Sequence, residues 1–361
     1  MLSLKHGRIT AIIHKDLDKT IAEVKLKDKD FVERVINYND LTGEIQEGDL
    51  VVLNTTAIDL NLGTGGYHFV IYNLNNGEKS ITGSGHIMKL RYTPMQIKVC
   101  AAEEQDSPYH QVFLDFKSLN GFPVIVALLH SMVLPISATI KYYEPEAKIA
   151  YIMSDAGSLP IAFSDTVKIL QNKGLIDKTI TYGHAFGGDI ECINIYNSLI
   201  AAKNILGCDY AITSMGPGIV GSGTPYGFSG IEQGAVIDAI NTLGGKAIAI
   251  PRISFADQRS RHRGISHHSQ TIFGSITKTK CYIPIPKLPE LQASHLMSQI
   301  KSLKLHEKHY IVEVKANELS NILAYYNLQV NTMGRGLLED PTFFLACCGG
   351  GLLAIEKRKG S

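Results

Sequence analysis

The chain has almost no excess of charge: 35 lysines and arginines face 34 aspartates and glutamates, a formal net charge of +1. That balance removes the global pull toward nucleic acid or an anionic membrane surface that a strongly basic chain would have. Long apolar runs are missing too. The longest, VIVALLHSMVLPISA, is interrupted by His130, Ser131 and Pro135, well short of the roughly 18 clean apolar residues that a membrane span needs. The N-terminal MLSLKHGRITAIIHKDLDKT lacks an apolar core of signal-peptide length, so no cleaved leader is expected. Cysteine is scarce and unpatterned. Cys100, Cys192, Cys208, Cys281, Cys347 and Cys348 show no CxxC spacing, which predicts reduced thiols in a cytoplasmic protein. GSGTPYG is not the GxGxxG dinucleotide fingerprint, and neither the phosphate loop GxxxxGK followed by Ser or Thr nor HExxH occurs. Redox chemistry on a bound dinucleotide is therefore disfavoured, and no cofactor is named.

What is present divides in two. At 361 residues with 45% hydrophobic content, the chain is long enough for two domains, each with a core. Residues 1–117 read as short alternating runs (ITAIIH, TIAEVKL, FVERVINY, DLVVLNT, YHFVIYNL, HIMKLRY, QIKVCAA) separated by turn chemistry such as NDLTGE, QEGD and NNGE. This predicts a small β-barrel or sandwich. In residues 118–361, β-branched apolar runs (123–131, 148–155, 179–184, 209–215, 246–254, 281–286, 309–314) alternate with helical patterns, among them DIECINIYNSLIAAKNILG read as one helix. Near-continuous apolar strands predict burial on both faces, hence a three-layer, mostly parallel, Rossmann-like α/β domain. The tail, MGRGLLEDPTFFLACCGGGLLAIEKRKG, predicts one last strand or helix, with Cys347–Cys348 as packing.

In open parallel sheets, ligands bind beyond the carboxyl ends of the strands. Five successive strand ends carry polar or glycine-rich segments: His130–Ser131, Asp155-Ala-Gly-Ser158, His184-Ala-Phe-Gly187-Gly188-Asp189, the loop 216–230, and Arg252–His268. The opposite turns (EPEAK, NKGLIDK, TLGGK) are ordinary. Within 216–230, Gly216, Gly218, Gly221, Gly223 and Gly227 allow main-chain N–H groups to converge on an anion, with a helix starting near Ser229; a structural or lid loop is the equal alternative. Arg252, Arg259, Arg261 and Arg263 offer planar donors for phosphate or carboxylate, or else form a solvated basic loop or a subunit contact. His184, His267 and His268 are candidate proton carriers, with Asp155 or Asp257 orienting one of them or acting as base. Only one of the adjacent His267 and His268 is expected to face the site, and Ser266 is a candidate N-cap. Gly187, Gly188 and Asp189 are a further ligand segment, although Asp189 alone reads better as an N-cap. Asp155, His184, Asp189 and Asp257 could together hold a divalent ion, but no ligand spacing supports it, and no metal is expected.

The motifs SDAGSLP, YGHAFGGD, GPGIVGSGTPYGFSGIEQG and PRISFADQRSRHRGISHH resemble those of an uncharacterised bacterial family, domain of unknown function 3866. The resemblance covers the whole length and implies a cytosolic bacterial protein without supplying an activity. GEIQEGDLVVLNTTA is similar to the strand-turn-strand of small translation-type barrels. The layout of a β domain followed by parallel α/β units is similar to the precursor subunits of the glycine and proline reductase family, which form a pyruvoyl group by cleavage before a cysteine. Here Cys192 follows Glu191 and no cysteine sits in an evident cleavage loop, so a relative lacking the pyruvoyl group is what that likeness allows.

The expectation is an enzyme, a hydrolase or transferase, acting on a small anionic molecule at the strand ends. The alternative is a non-catalytic ligand sensor or scaffold with the same pocket. Membrane partners are not expected, nucleic acid is disfavoured by the charge balance and by the lack of an aromatic platform near the arginines, and a homo-oligomer stays open.

Overall fold

The computed structural model describes residues 2–62 and 65–360. The chain folds as two compact units, Met1–Val99 and Cys100–Ser361.

In the first unit, β1 (Leu4–Lys15), β2 (Lys19–Leu26), β3 (Val32–Tyr38), β4 (Leu50–Asn54) and β5 (Tyr67–Asn73) close into a barrel in the order β1-β2-β3-β5-β4. The alternation read from the sequence is what closes it. Ala22, Val24 and Leu26 of β2 point inward with Ile9, Val35, Val51, Leu53 and Val70, all buried, while the intervening side chains face out. Closure also removes the free strand edges that a five-stranded sheet would otherwise expose. A short hairpin, β6 (Ile87–Lys89) and β7 (Ile97–Val99), ends the unit. Residues 100–117, assigned from sequence to the β-rich part, pack with the second unit: Ala101 bridges Glu191 and Ala102 is buried in that unit's core.

The second unit holds an eight-stranded sheet of β8 (Pro123–Ala127), β9 (Ile149–Ser154), β10 (Lys178–Tyr182), β11 (Ile190–Cys192), β12 (Tyr210–Met215), β13 (Lys246–Ile250), β16 (Tyr282–Pro286) and β17 (Tyr310–Val314). Their order is β11-β10-β9-β12-β8-β13-β16-β17, and every pairing is parallel. This is an α/β fold behind an N-terminal barrel. Pro251 ends β13 by removing an N–H donor; the chain then forms a two-residue ladder between β14 (Ile253–Ser254) and β15 (Gly264–Ile265), where the sequence predicts one continuous strand. The predicted helix over 189–207 is likewise divided: its first residues form edge strand β11, and the helix runs from Ile195 to Ile200 before widening into a π turn over Ala201–Ile205.

The helices fall into two groups that pack among themselves. Val133–Tyr143, Asp165–Asn172, Leu319–Tyr325 and Pro341–Lys359 form one; Ile195–Ile200, Gln233–Thr242 and the π turn Ile272–Ile276 belong to the other. The tail is therefore a 19-residue helix, Pro341–Lys359, with Cys347 and Cys348 fully buried. Its Gly349-Gly350-Gly351 run is poor helix sequence, but it permits close packing: a Cβ on Gly350 would lie 1.9 Å from Cδ1 of Ile250 on β13. Gly350→Ala is expected to destabilise the protein by about 1–3 kcal/mol through overpacking, read as a lower urea midpoint at unchanged slope.

Candidate functional site

The strand order fixes where a crevice opens. From β8 the chain crosses over β12 to reach β9; from β12 it crosses over β8 to reach β13. The helices that carry these crossovers, Val133–Tyr143 and Gln233–Thr242, belong to opposite layers. Adjacent strands whose connections leave in opposite directions make a topological switch point, where doubly wound sheets bind ligands. The carboxyl ends of β8 and β12 line a small cleft there with Gly230, Glu232 and Gln233.

Glu232 is the acid of this cleft. It ends a 3-10 turn, Ser229–Glu232, that feeds directly into the helix Gln233–Thr242. Its carboxyl accepts a hydrogen bond from the hydroxyl of Ser154, the last residue of β9. Burial pushes its pKa up to about 7; the serine bond opposes that and the charge of nearby Asp155 adds to it. Tyr182, ending β10, is buried beside both acids, and desolvation followed by their charges holds its phenol well above the ordinary range. Asp155 accepts a hydrogen bond of 3.0 Å from the main-chain N–H of His184. Gly183 makes this approach possible: its φ is +66° and a Cβ there would stand 2.4 Å from Oδ2 of Asp155. At the end of β8, His130 lies 3.0 Å from the Tyr151 hydroxyl through Nδ1 and 2.6 Å from Ser164 Oγ through Nε2. Burial lowers its pKa to about 4, which keeps it a neutral structural link.

The glycine loop joins this cleft to a second cluster. At its start, Gly216 packs against Ser158, and a Cβ there would meet the Ser158 carbonyl at 2.7 Å. Gly218, Gly221 and Gly223 lie in the exposed part, and the Gly227 carbonyl accepts from the Ser222 main-chain N–H at 2.7 Å. At its end, Phe228 stacks on His268 with ring centroids 4.0 Å apart. Glu232 is the N-cap residue of the following helix, but its side chain makes no cap bond there and meets Ser154 instead.

The second cluster lies beyond β13, three strand spacings or about 14 Å from Asp155. Arg252 is nearly buried and its Nη2 donates to Asp257 at 3.0 Å. Arg259 makes a two-pronged contact with the same carboxylate, 3.0 Å from Nε and 2.9 Å from Nη2. Those bonds, that from Arg259 first, hold the Asp257 carboxyl far below the usual range. Asp257 is thus a counter-ion for two arginines. Arg261 and Arg263 are exposed. Ser266 opens the helix His267–Thr271 without a side-chain cap bond; its Oγ meets His262 Nδ1 at 2.7 Å instead. Adjacent His267 and His268 both join His262, because a helical first turn, unlike a strand, does not send neighbours to opposite faces. Among the described residues these three imidazoles are the group with metal-ligand spacing.

Gly187, Gly188 and Asp189 leave the site. The chain after His184 runs back along β10, and Asp189 accepts from the N–H and hydroxyl of Thr179 at 2.8 Å each. Thr179 is the second residue of β10, so Asp189 sits near the amino end of the sheet and caps no helix. The acid-and-histidine metal set weighed from sequence is therefore split across the sheet. Cys192 closes β11 and is fully buried.

Fold and site together define a doubly wound α/β protein with an acidic switch-point crevice and an adjoining arginine-histidine cluster. Residues 34–351 match the family described as protein of unknown function (DUF3866), and the chain belongs to that family. No curated protein matches it. Glu232 escapes a reading of the sequence because it looks like an ordinary helix-start acid; IEQG directly after a glycine loop is the available signal.

Proposed function

We propose that the Cys100–Ser361 unit is an enzyme that binds a small anionic substrate, a phosphate or carboxylate compound, at the strand ends and acts on it by hydrolysis or group transfer. The observation that carries the reading is Glu232: a carboxyl at the switch point whose pKa of about 7 suits proton transfer at neutral pH. Glu232 donates a proton to the leaving oxygen, and Asp155 takes one from the attacking water or hydroxyl. Two acids in unlike surroundings are a recurrent way to divide these roles. Arg261, exposed beside His267 and His268, neutralises charge at the far end of a substrate extended enough to span the roughly 14 Å from Asp155, with Arg259 behind it. Three residues separate Phe228, stacked on the histidine cluster, from Glu232, so one loop spans both ends of the crevice.

A panel of phosphate monoesters and carboxylate esters tests this. Arg261→Ala is expected to weaken binding of a responsive compound by about 1.5–3 kcal/mol, the worth of a hydrogen bond to a charged group. Lysine should restore only part of it, lacking the bidentate fork. Calorimetry showing equal affinity for wild type and Arg261→Ala sinks the assignment.

One observation favours the sensor or scaffold alternative: Asp257 is engaged by Arg252 and Arg259, and the contact shown between His184 and Asp155 runs through the main chain. Tight binding of a panel member with no turnover by wild type would select it. We further place the protein in the bacterial cytoplasm. Cys100, Cys208, Cys281, Cys347 and Cys348 are thiols outside any disulfide, and no helix among the described residues is long and apolar enough to cross a membrane. Recovery in a membrane or secreted fraction would refute that placement.

A further inference from the structure

Beyond β13 lie three imidazoles that the acid–base reading leaves without a task. We propose that His262, His267 and His268 bind one divalent transition-metal ion of the zinc class. One ring nitrogen from each lies within 4.8 Å of the others. The ring centroids are 4.8 Å apart for His262 and His267, 5.3 Å for His262 and His268, and 4.1 Å for His267 and His268. The fold delivers them from two directions. The 3-10 turn Ser260–His262 presents the first, β15 carries the chain onward, and the opening turn of the helix His267–Thr271 presents the other two.

An independent observation points to a ligand. Nε2 of His267 and Nδ1 of His268 are buried with no hydrogen-bond partner. Buried polar atoms in folded proteins are almost always satisfied, and a metal ion satisfies an imidazole lone pair directly. The third ring is already oriented. His262 Nδ1 faces Ser266 Oγ at 2.7 Å and Nη1 of Arg252 at 3.2 Å; the tautomer that donates Nδ1–H to the serine gives up the arginine's bond and presents Nε2 to the ion. A hydrogen-bonding partner of this kind accompanies most metal-bound histidines.

The donor set selects the ion. Three imidazoles suit Zn²⁺, Co²⁺ or Ni²⁺, whereas Ca²⁺ and Mg²⁺ take oxygen ligands. With metal–nitrogen distances of about 2.0–2.1 Å the donors would stand about 3.3 Å apart, so the rings must close by about 1.5 Å from the present spread. Phe228, stacked on His268, ends the glycine loop and can move with it. Arg252 lies 3.2 Å from His262 Nδ1, and its charge opposes a dication. That opposition is reduced because Arg252 and Arg259 are both paired to Asp257. Three protein ligands leave a fourth tetrahedral position, and the surrounding arginines favour an anion there: hydroxide, or a carboxylate or phosphate oxygen. The site stands on its own observations and does not require Glu232 to act as an acid.

The test uses the full-length protein, stripped with a chelator and dialysed. Zn²⁺ alone is titrated by calorimetry, and Co²⁺ is added as a visible-absorption reporter. The expected result is one Zn²⁺ per chain and the absorption bands of four-coordinate Co²⁺. His267→Ala should lower Zn²⁺ affinity at least about a hundredfold, and Ser266→Ala about ten- to a hundredfold. His267 is only half-buried, so its variant should melt like the metal-free wild type, which separates lost binding from lost folding. No Zn²⁺ binding by wild type, or wild-type affinity in both His267→Ala and His268→Ala, overturns the proposal. So does affinity that disappears instead with exposed His306→Gln, which would mark an adventitious surface histidine.

Discussion

Glu232→Gln is expected to lower kcat about a hundred- to ten-thousandfold, the range for a lost general acid, with little change in substrate binding. The amide keeps the size of the carboxyl and can still meet the Ser154 hydroxyl, but has no proton to give. The pH profile carries the sharper signature. Burial raises the Glu232 pKa to about 7, so the acid form is populated below pH 7 and lost above it. Wild-type kcat/KM should therefore fall as pH rises through 7, and this limb should vanish in the variant. The same shift has a stability sign: the proton is bound more tightly folded than unfolded. Its contribution is complete below the unfolded value of about 4.3 and is lost as pH rises through 7. A Glu232→Gln enzyme with an unchanged basic limb would remove Glu232 from the chemistry.

Asp257→Asn is expected to cost about 3–5 kcal/mol, the usual effect of stranding a buried partner charge. Arg252 is 4% exposed and Asp257 6%, so neither can turn to water when the other is lost. Arg335, 3.8 Å from the same carboxylate, would be left facing Arg252 and Arg259 while still paired to Asp340. The linkage has the opposite sense to that of Glu232. The Asp257 carboxyl titrates well below its unfolded value of about 3.9. Its contribution is present above pH 4 and is lost as pH falls toward the lowered folded value. Urea unfolding should show a wide gap between wild type and variant at pH 7 that narrows with acid. A gap under about 1 kcal/mol at pH 7 would mean that the arginines find water or other partners.

The two architectures are legible in the sequence because each writes its own period. In β2, Ala22, Val24 and Leu26 alternate with polar neighbours, which announces a sheet with one buried face. In β9 and β12, IAYIMS and YAITSM bury every residue, which announces a sheet covered on both. Legibility fails where a residue's role depends on strand order. Asp189 follows a strand as Asp155 does, but its segment doubles back along β10 to the far end of the sheet. Glu232 matters because the connections of β8 and β12 cross there, and no local pattern encodes a crossing. The Gly349–Gly351 run argues against a helix by propensity, and packing against Ile250 overrides it. The expectation that only one of His267 and His268 faces the site assumes a strand, whereas the helix that begins at His267 keeps both rings beside His262.

The protonation of Glu232 itself can be measured without a substrate, and it bears most directly on the proposed chemistry. Carbon-13 NMR of protein labelled at the glutamate carboxyl, with the Glu232→Gln spectrum assigning the resonance, gives its midpoint. A single titration near pH 7 is expected, shifted downward when Asp155→Asn removes the neighbouring charge while Ser154 stays in place. A midpoint below about pH 5, within the ordinary carboxylate range, would contradict the assignment of Glu232 as the acid.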